Sequence, residues 1–239
     1  MRYGKVVRTE FVSRPNRFVA NVLLNGKEIQ VHVKNTGRCR ELLVPGAEVW
    51  LEDFTERSGK RKLLYDLIAV NKGGLLINMD SQAPNKAVRE ALESGALRLP
   101  EMAELTLVKP ETVRGESRFD FYVEDSAGAK GYVEVKGVTL ENGGIASFPD
   151  APTERGIKHL HGLADAVRSG YKAYALFVIQ MAGMSCFTPN NERHAAFGDA
   201  LRYAAANGVT VLCRECAVTP DSMTLTKEVP IRLDKIQTI

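Results

Sequence analysis

Asp120 and the triplet Glu134-Val135-Lys136 are the residues in this chain whose types and spacing could do chemistry together. Glu134 and Lys136 are two apart, so on a β-strand they share one face. The run Gly131-Tyr132-Val133-Glu134-Val135-Lys136-Gly137-Val138-Thr139-Leu140 is β-branched and alternating, which predicts a strand. Val133 and Val135 would pack on its other side. Asp120 sits in a second strand-like run, Arg118-Phe119-Asp120-Phe121-Tyr122-Val123-Glu124. The turn-like Asp125-Ser126-Ala127-Gly128-Ala129 would fold the two runs into a hairpin and gather two carboxylates and an ammonium. Mg²⁺ or Mn²⁺ takes one or two carboxylates with waters and phosphate oxygens. It activates a water and neutralises charge on a phosphoryl transition state, and a lysine alongside orients that water or stabilises the developing charge. The pattern D…ExK is the signature of metal-dependent nucleases; the bland alternative is a solvated strand face with an incidental Glu/Lys pair.

The elements that must position these residues fall into two textures. The first 75 or so residues predict strands near 4–12, 17–24, 27–33, 48–53 and 63–70. Arg14-Pro15-Asn16, Asn25-Gly26, Asn35-Thr36-Gly37 and Pro45-Gly46 mark the turns. Short strands of this number suit a small closed barrel, since closure removes exposed edges, and an OB-type barrel is the natural candidate. After Gly73-Gly74 the pattern changes. Residues 86–97 predict a helix with Ala87, Val88, Ala91 and Leu92 as its apolar stripe. A strand at 105–113 precedes the Asp120 and Glu134 strands. A helix then runs from about Thr153, a fitting N-cap, to about Ser169. A strongly apolar strand at 171–180, a helix at 192–206 and a strand at 209–213 complete the order. That order predicts a mixed sheet flanked by helices, so the chain reads as a two-domain α+β or α/β protein divided into residues 1–75 and 76–239.

Composition bounds the rest. The chain of 239 residues carries a net charge of +3, unevenly placed. Residues 1–75 hold fourteen Lys/Arg against eight Asp/Glu, and residues 76–239 hold eighteen against twenty-one. A basic first module suggests a polyanionic partner, and a mildly acidic second one suggests a bound cation. No apolar run is long enough to span a membrane, and no signal peptide is evident, so a cytoplasmic location without membrane partners is expected. Four cysteines, Cys39, Cys186, Cys213 and Cys216, are too few and scattered for a disulfide framework. Cys213 and Cys216 have metal-site spacing but no matching second pair, so buried or free thiols are expected.

The strand order, with Asp120 and the E-x-K triplet on the second and third core strands, resembles the PD-(D/E)xK nuclease fold. Further runs resemble one family more closely: Asn35-Thr36-Gly37-Arg38, Arg61-Lys62-Leu63, Ser117-Arg118-Phe119-Asp120-Phe121, Glu134 to Leu140, Phe148-Pro149-Asp150-Ala151-Pro152-Thr153-Glu154-Arg155-Gly156 and Lys158-His159-Leu160. In order and over nearly the whole chain they are similar to the sugar fermentation stimulation protein A family. The resemblance implies an N-terminal OB-like domain followed by a nuclease-like domain, and DNA binding without sequence preference. It also implies a regulatory role in maltose metabolism. Ser13-Arg14-Pro15-Asn16-Arg17-Phe18 departs from that family, which usually shows a more basic run with a Tyr; Cys39 stands where Met is frequent.

Roles then follow. Asp120 and Glu134 are the expected metal ligands, the Val135 carbonyl a third, and Lys136 the catalytic lysine. Glu111 is either a further carboxylate or an exposed strand charge. Glu90 reads as a solvated helix face. Gln180, at the end of an apolar strand, either faces the site or begins a loop. Asp150, Thr153, Arg155, Lys158 and His159 cluster at a helix start, where backbone N–H groups attract phosphate. Arg155 and Lys158 are expected phosphate contacts; Asp150 and Thr153 suit plain capping, and His159 either proton transfer or a structural place. In the barrel, Arg8, Arg14, Arg17, Lys34, Arg38, Lys60, Arg61 and Lys62 are candidate nucleic-acid contacts. Phe18 and Phe54 are candidate stacking residues, Phe18 equally a core residue. Two functions compete: a Mg²⁺- or Mn²⁺-dependent phosphodiesterase on DNA or RNA, and a catalytically silent DNA-binding regulator of sugar (maltose) metabolism genes.

Overall fold

A computed structural model describes residues 1–35, 37, 39–57 and 59–234. The chain divides into two compact units. The first is Met1–Pro84 with Gln180–Ala182 and Cys216–Thr224; the second is Asn85–Ile179 with Gly183–Glu215 and Leu225–Ile239.

The first unit is built from β1 (Val6–Asn16), β2 (Val19–Leu24), β3 (Lys27–Val33), β4 (Glu48–Asp53), β5 (Tyr65–Lys72) and β6 (Leu75–Asn78). The order β3-β2-β1-β4-β5 closes on itself because β3 also pairs with β5 in parallel, His32 opposite Asp66. Closure leaves a five-stranded OB-like barrel, to which β6 is added at β5. Alternating apolar residues fill it: Phe11, Ala20, Val22, Val31, Val49, Leu51, Leu67 and Ile77 are buried. The Asn25-Gly26 turn has positive φ at both residues, 51° and 76°, as a two-residue hairpin between right-twisted strands requires. The expected turn at Arg14-Pro15-Asn16 lies one step later. Arg14 and Pro15 sit in the irregular end of β1, where register shifts release the ladder, so the missing Pro15 donor costs nothing. Asn16 Oδ1 instead accepts from the backbone of Phe18 and Val19 at 2.9 and 3.1 Å and makes the turn.

The second part of the chain contains α1 (Ala83–Glu93), β7 (Leu105–Arg114), β8 (Ser117–Asp125), β9 (Lys130–Val138), β10 (Leu140–Asn142) and β11 (Ile145–Phe148). It continues with α2 (Glu154–Arg168), β12 (Lys172–Ile179), β13 (Cys186–Pro189), α3 (Asn191–Ala206), β14 (Thr210–Thr219) and β15 (Ser222–Glu228). The main sheet runs β15-β14-β12-β9-β8-β7. β7, β8 and β9 are antiparallel, joined by tight turns, whereas β9, β12 and β14 are parallel and reached through α2 and α3. Parallel central strands are covered on both faces, so they read as nearly continuous apolar runs. β12 is buried along all but its first residue. The small β10-β11-β13 sheet and the β15 strand go beyond the expected order. α1 begins at Ala83 rather than at residue 86, because Pro84 fits the first turn, where its missing donor would be unpaired anyway. All four cysteines are buried and none is in a disulfide. Among the described residues, no helix is long and apolar enough to cross a membrane.

Candidate metal and nucleic-acid site

The β8–β9 ladder runs from Glu124↔Lys130 to Phe121↔Val133 and stops there. One residue further, Asp120 Oδ2 accepts the Val135 backbone N–H at 2.7 Å, so the side chain takes over where strand pairing ends. Its other oxygen, Oδ1, accepts from Asn85 Nδ2 on α1 at 2.8 Å. A cleft of about 320 Å³ opens beside it, lined by Asn85, Lys86, Arg89, Glu111, Asp120 and Phe121 among others. Asn85, Lys86 and Arg89 are residues that sequence reasoning missed. The signal was Pro84, a first-turn marker that would have drawn the helix start back over Asn85.

Glu134 lies at the centre of β9, opposite Ala175 of β12, and is only 3 % exposed. The face it shares with Lys136 is not an open strand face: α2 sets His159 against Glu134, and only the Lys136 side chain, 17% exposed, keeps some contact with solvent. Glu134 Oε1 accepts from Lys136 Nζ and meets Nδ1 of His159 on α2. Glu134 Oε2 is buried and has no hydrogen-bond partner. The two carboxylates respond in opposite directions. Burial, then the neighbouring Glu134 charge, pushes the Asp120 carboxyl above its ordinary range, against the Val135 and Asn85 donors and Lys136. Burial alone would raise Glu134 too, but His159 and Lys136 outweigh it and hold that carboxyl below the ordinary range. Among the described residues, no group of three or more His, Cys, Asp and Glu converges as a metal cage.

α2 reaches this sheet because Gly162 has no side chain: a Cβ there would meet Ser117 Oγ at 2.8 Å and Phe119 Cζ at 3.2 Å. Thr153 caps the helix, its hydroxyl accepting the Gly156 N–H at 3.0 Å. Asp150 is exposed before the helix. Arg155 Nε lies 3.4 Å from His159 Nε2. Lys158 points elsewhere, pairing with Glu116 at 2.8 Å beside a separate cleft that contains Arg114 and His161. Glu111 has a left-handed φ of 51° and an exposed carboxylate 3.9 Å from Arg118. Glu90 is exposed on α1. Gln180 belongs to the first unit, where its amide donates to Asn78 and Asp80.

In the barrel, the basic residues divide by what they already hold. Arg14 donates to the carbonyls of Gly37, Arg17 and Asn35. Arg61 pairs with the buried Asp66 and stacks 4.0 Å over Phe54. Lys34 is gathered among Asp66, Asp80 and Glu52 at 3.0, 3.4 and 3.7 Å. Arg8 pairs with Glu48 at 2.7 Å. Arg17 and Arg40, the latter missed from sequence, line a cleft of about 330 Å³ with Arg14, Asn16 and Leu43. Arg17 lies over the exposed Phe18 ring at 4.7 Å, and Lys60 and Lys62 are exposed. Arg38 lies outside the described residues.

The architecture defines the class: an OB-like barrel domain followed by a mixed-sheet domain that carries Asp120 and the Glu134-Val135-Lys136 triplet on its β8–β9 hairpin. Residues 12–79 match the family described as SfsA N-terminal OB domain, and residues 82–222 match the one described as sugar fermentation stimulation protein RE domain. The chain belongs to the sugar fermentation stimulation protein family. It is 52% identical over 235 residues to a sugar fermentation stimulation protein homolog of Desulfitobacterium hafniense, covering 98% of this chain and 99% of that one. A homolog from Clostridium beijerinckii is 49% identical over 233 residues, covering 98% and 100%. The structure of Pyrococcus furiosus SfsA in complex with Ca²⁺ is similar with a TM-score of 0.85 and 26% identity, covering 97% of this chain and 98% of that one.

Proposed function

We propose that the mixed-sheet unit is a divalent-metal-dependent phosphodiesterase acting on nucleic acid, DNA or RNA. One observation carries the reading: Glu134 Oε2 is buried without a donor on a side chain whose charge acts on Asp120. A buried ionised oxygen with no partner is costly, and neighbouring carboxylates repel each other unless a cation intervenes. The donor set fits a hard cation such as Mg²⁺ or Mn²⁺: Asp120 and Glu134 would hold it, with the Val135 carbonyl as a third oxygen. That Pyrococcus furiosus SfsA is in complex with Ca²⁺ supports the same class of ion. When bound, the ion supplies charge for the scissile phosphate and acidifies a water. Lys136, held on Glu134 Oε1, places an ammonium beside the developing charge. Asn85 and the Val135 N–H fix Asp120. Lys86 and Arg89 line the same cleft as phosphate contacts, and Glu111 adds an accessory carboxylate.

The test is cleavage of labelled single- and double-stranded DNA and RNA with Mg²⁺ or Mn²⁺. Lys136→Ala should lower the rate by about 100-fold or more, and Asp120→Ala and Glu134→Ala should each abolish calorimetric Mn²⁺ binding with the fold retained. Equal cleavage by Lys136→Ala, or unaltered Mn²⁺ affinity in both carboxylate variants, would remove this reading. The arginine cleft beside the exposed Phe18 favours a second one, nucleic-acid retention without cleavage in a regulator of sugar-metabolism genes. Salt-sensitive DNA binding with no cleavage of any substrate would support it.

A further inference from the structure

Three contacts immobilise the His159 ring inside the second unit. Its Nδ1 meets Glu134 Oε1, and its Nε2 lies 3.4 Å from Arg155 Nε, one helical turn earlier on α2. Phe119, the residue before Asp120, packs against the ring at 6.0 Å between centroids and 66° between planes. The ring is 5 % exposed. A guanidinium Nε–H only donates, so Nε2 must be the acceptor. The hydrogen-bond network thus assigns the imidazole proton to Nδ1, which donates it to Glu134 Oε1. Oε1 also receives Lys136, so both donors fall on one oxygen and the buried Oε2 is left with none.

We propose that His159 is a positioning residue for Glu134, locked by Arg155 in the Nδ1–H tautomer so that Glu134 presents Oε2 to a divalent cation. The inference rests on the metal reading of Asp120 and Glu134 and deepens it. It gives His159 a role distinct from proton transfer to a leaving group: with Nδ1 donating and Nε2 accepting from Arg155, neither nitrogen is left for substrate. It gives Arg155 a role distinct from a phosphate contact. Partners that orient a ligating side chain in this way commonly account for 10- to 100-fold in metal affinity.

The experiment is calorimetric titration of the full chain with Mn²⁺ alone. His159→Leu, which removes the donor, should weaken binding by about 10- to 100-fold. His159→Asn places an amide N–H near the Nδ1 position and should restore most of that loss. Matched melting temperatures for the two variants separate positioning from general damage. A ¹⁵N-imidazole spectrum of the wild type supplies a second readout independent of any variant's folding: Nδ1 should carry the proton and Nε2 should not. Wild-type Mn²⁺ binding with undiminished affinity in His159→Leu would overturn the positioning role alone. A proton found on Nε2 of a neutral ring would do the same. A wild type that binds no Mn²⁺ would overturn the metal reading beneath it.

Discussion

Arg61 and Lys62 are neighbours in sequence, alike in charge and different in what they hold. Arg61 pairs with the fully buried Asp66, donates to the Leu63 carbonyl at 3.2 Å and covers the Phe54 ring. Lys62 is exposed. Arg61→Ala should therefore destabilise the barrel by about 1.5–3 kcal/mol, the range for a hydrogen bond to a charged group, since Lys34 and His32 remain on Asp66. Lys62→Ala should stay within about 0.5 kcal/mol of wild type and act on nucleic-acid affinity and its salt slope alone. Urea denaturation of both variants checks this; equal stabilities would mean that Arg61 is a surface charge like Lys62. The same distinction shows what was legible at this scale. Asp120, Glu134 and Lys136 could be read because strand periodicity fixes which side chains share a face. The Glu134–His159 and Asp120–Asn85 contacts could not, because they join residues 25 and 35 positions apart with no local pattern linking them.

The hairpin of β8 and β9 is the element that brings the two carboxylates together, and its turn is organised by one aspartate. Asp125 accepts the backbone N–H of Ala103 at 2.7 Å, Ala127 at 3.0 Å and Ala129 at 2.8 Å. The Ala103 donor, with those of the turn, holds its carboxyl below the ordinary aspartate range. A depressed folded-state pKa contributes stability that is fully present above the unfolded value, about 3.9, and is lost as pH falls through the lower folded value. Asp125→Ala should thus lower the melting temperature near neutral pH, and the gap to wild type should narrow as the solution is taken well below about pH 4. A gap that stays constant into acid would show that the carboxylate charge plays no part. The turn was legible because Asp, Ser and Gly each favour it for a stated reason. β10, β11 and β13 were not, being strands of three or four residues. So short an alternation carries little periodic signal.

At the scale of the whole molecule the chain does not run out of its first unit once and for good. Gln180–Ala182 and Cys216–Thr224 return to it. There Gln180 is 2 % exposed, and its amide donates to Asn78 O, Asn78 Oδ1 and Asp80 O at 3.0, 3.1 and 3.1 Å. Its carbonyl accepts from Asn78 N at 2.9 Å. The N-terminal ammonium donates to Met223 O at 2.8 Å, and Tyr3 N donates to Asp221 O at 2.7 Å. These bonds satisfy groups at the end of β6 and the start of the chain that the barrel strands leave open. A composition shift after Gly73-Gly74 marks a change of texture along the sequence, but a strand end contributed from a hundred residues away leaves no such mark. Two consequences should be measurable. Gln180→Ala in the full chain removes three hydrogen bonds inside the unit, while Asp80 N and Ala83 N stay on Asn78 Oδ1 and Asp80 O, and should cost about 0.5–1.5 kcal/mol per bond lost. Residues 1–84 expressed alone lose every one of the returning contacts together and should unfold well below the full chain. Circular dichroism of that fragment would decide the matter: a cooperative barrel-like transition at the temperature of the full-length protein would mean that the returning segments are passive, whereas a lowered or absent transition would make them part of what the barrel needs to fold.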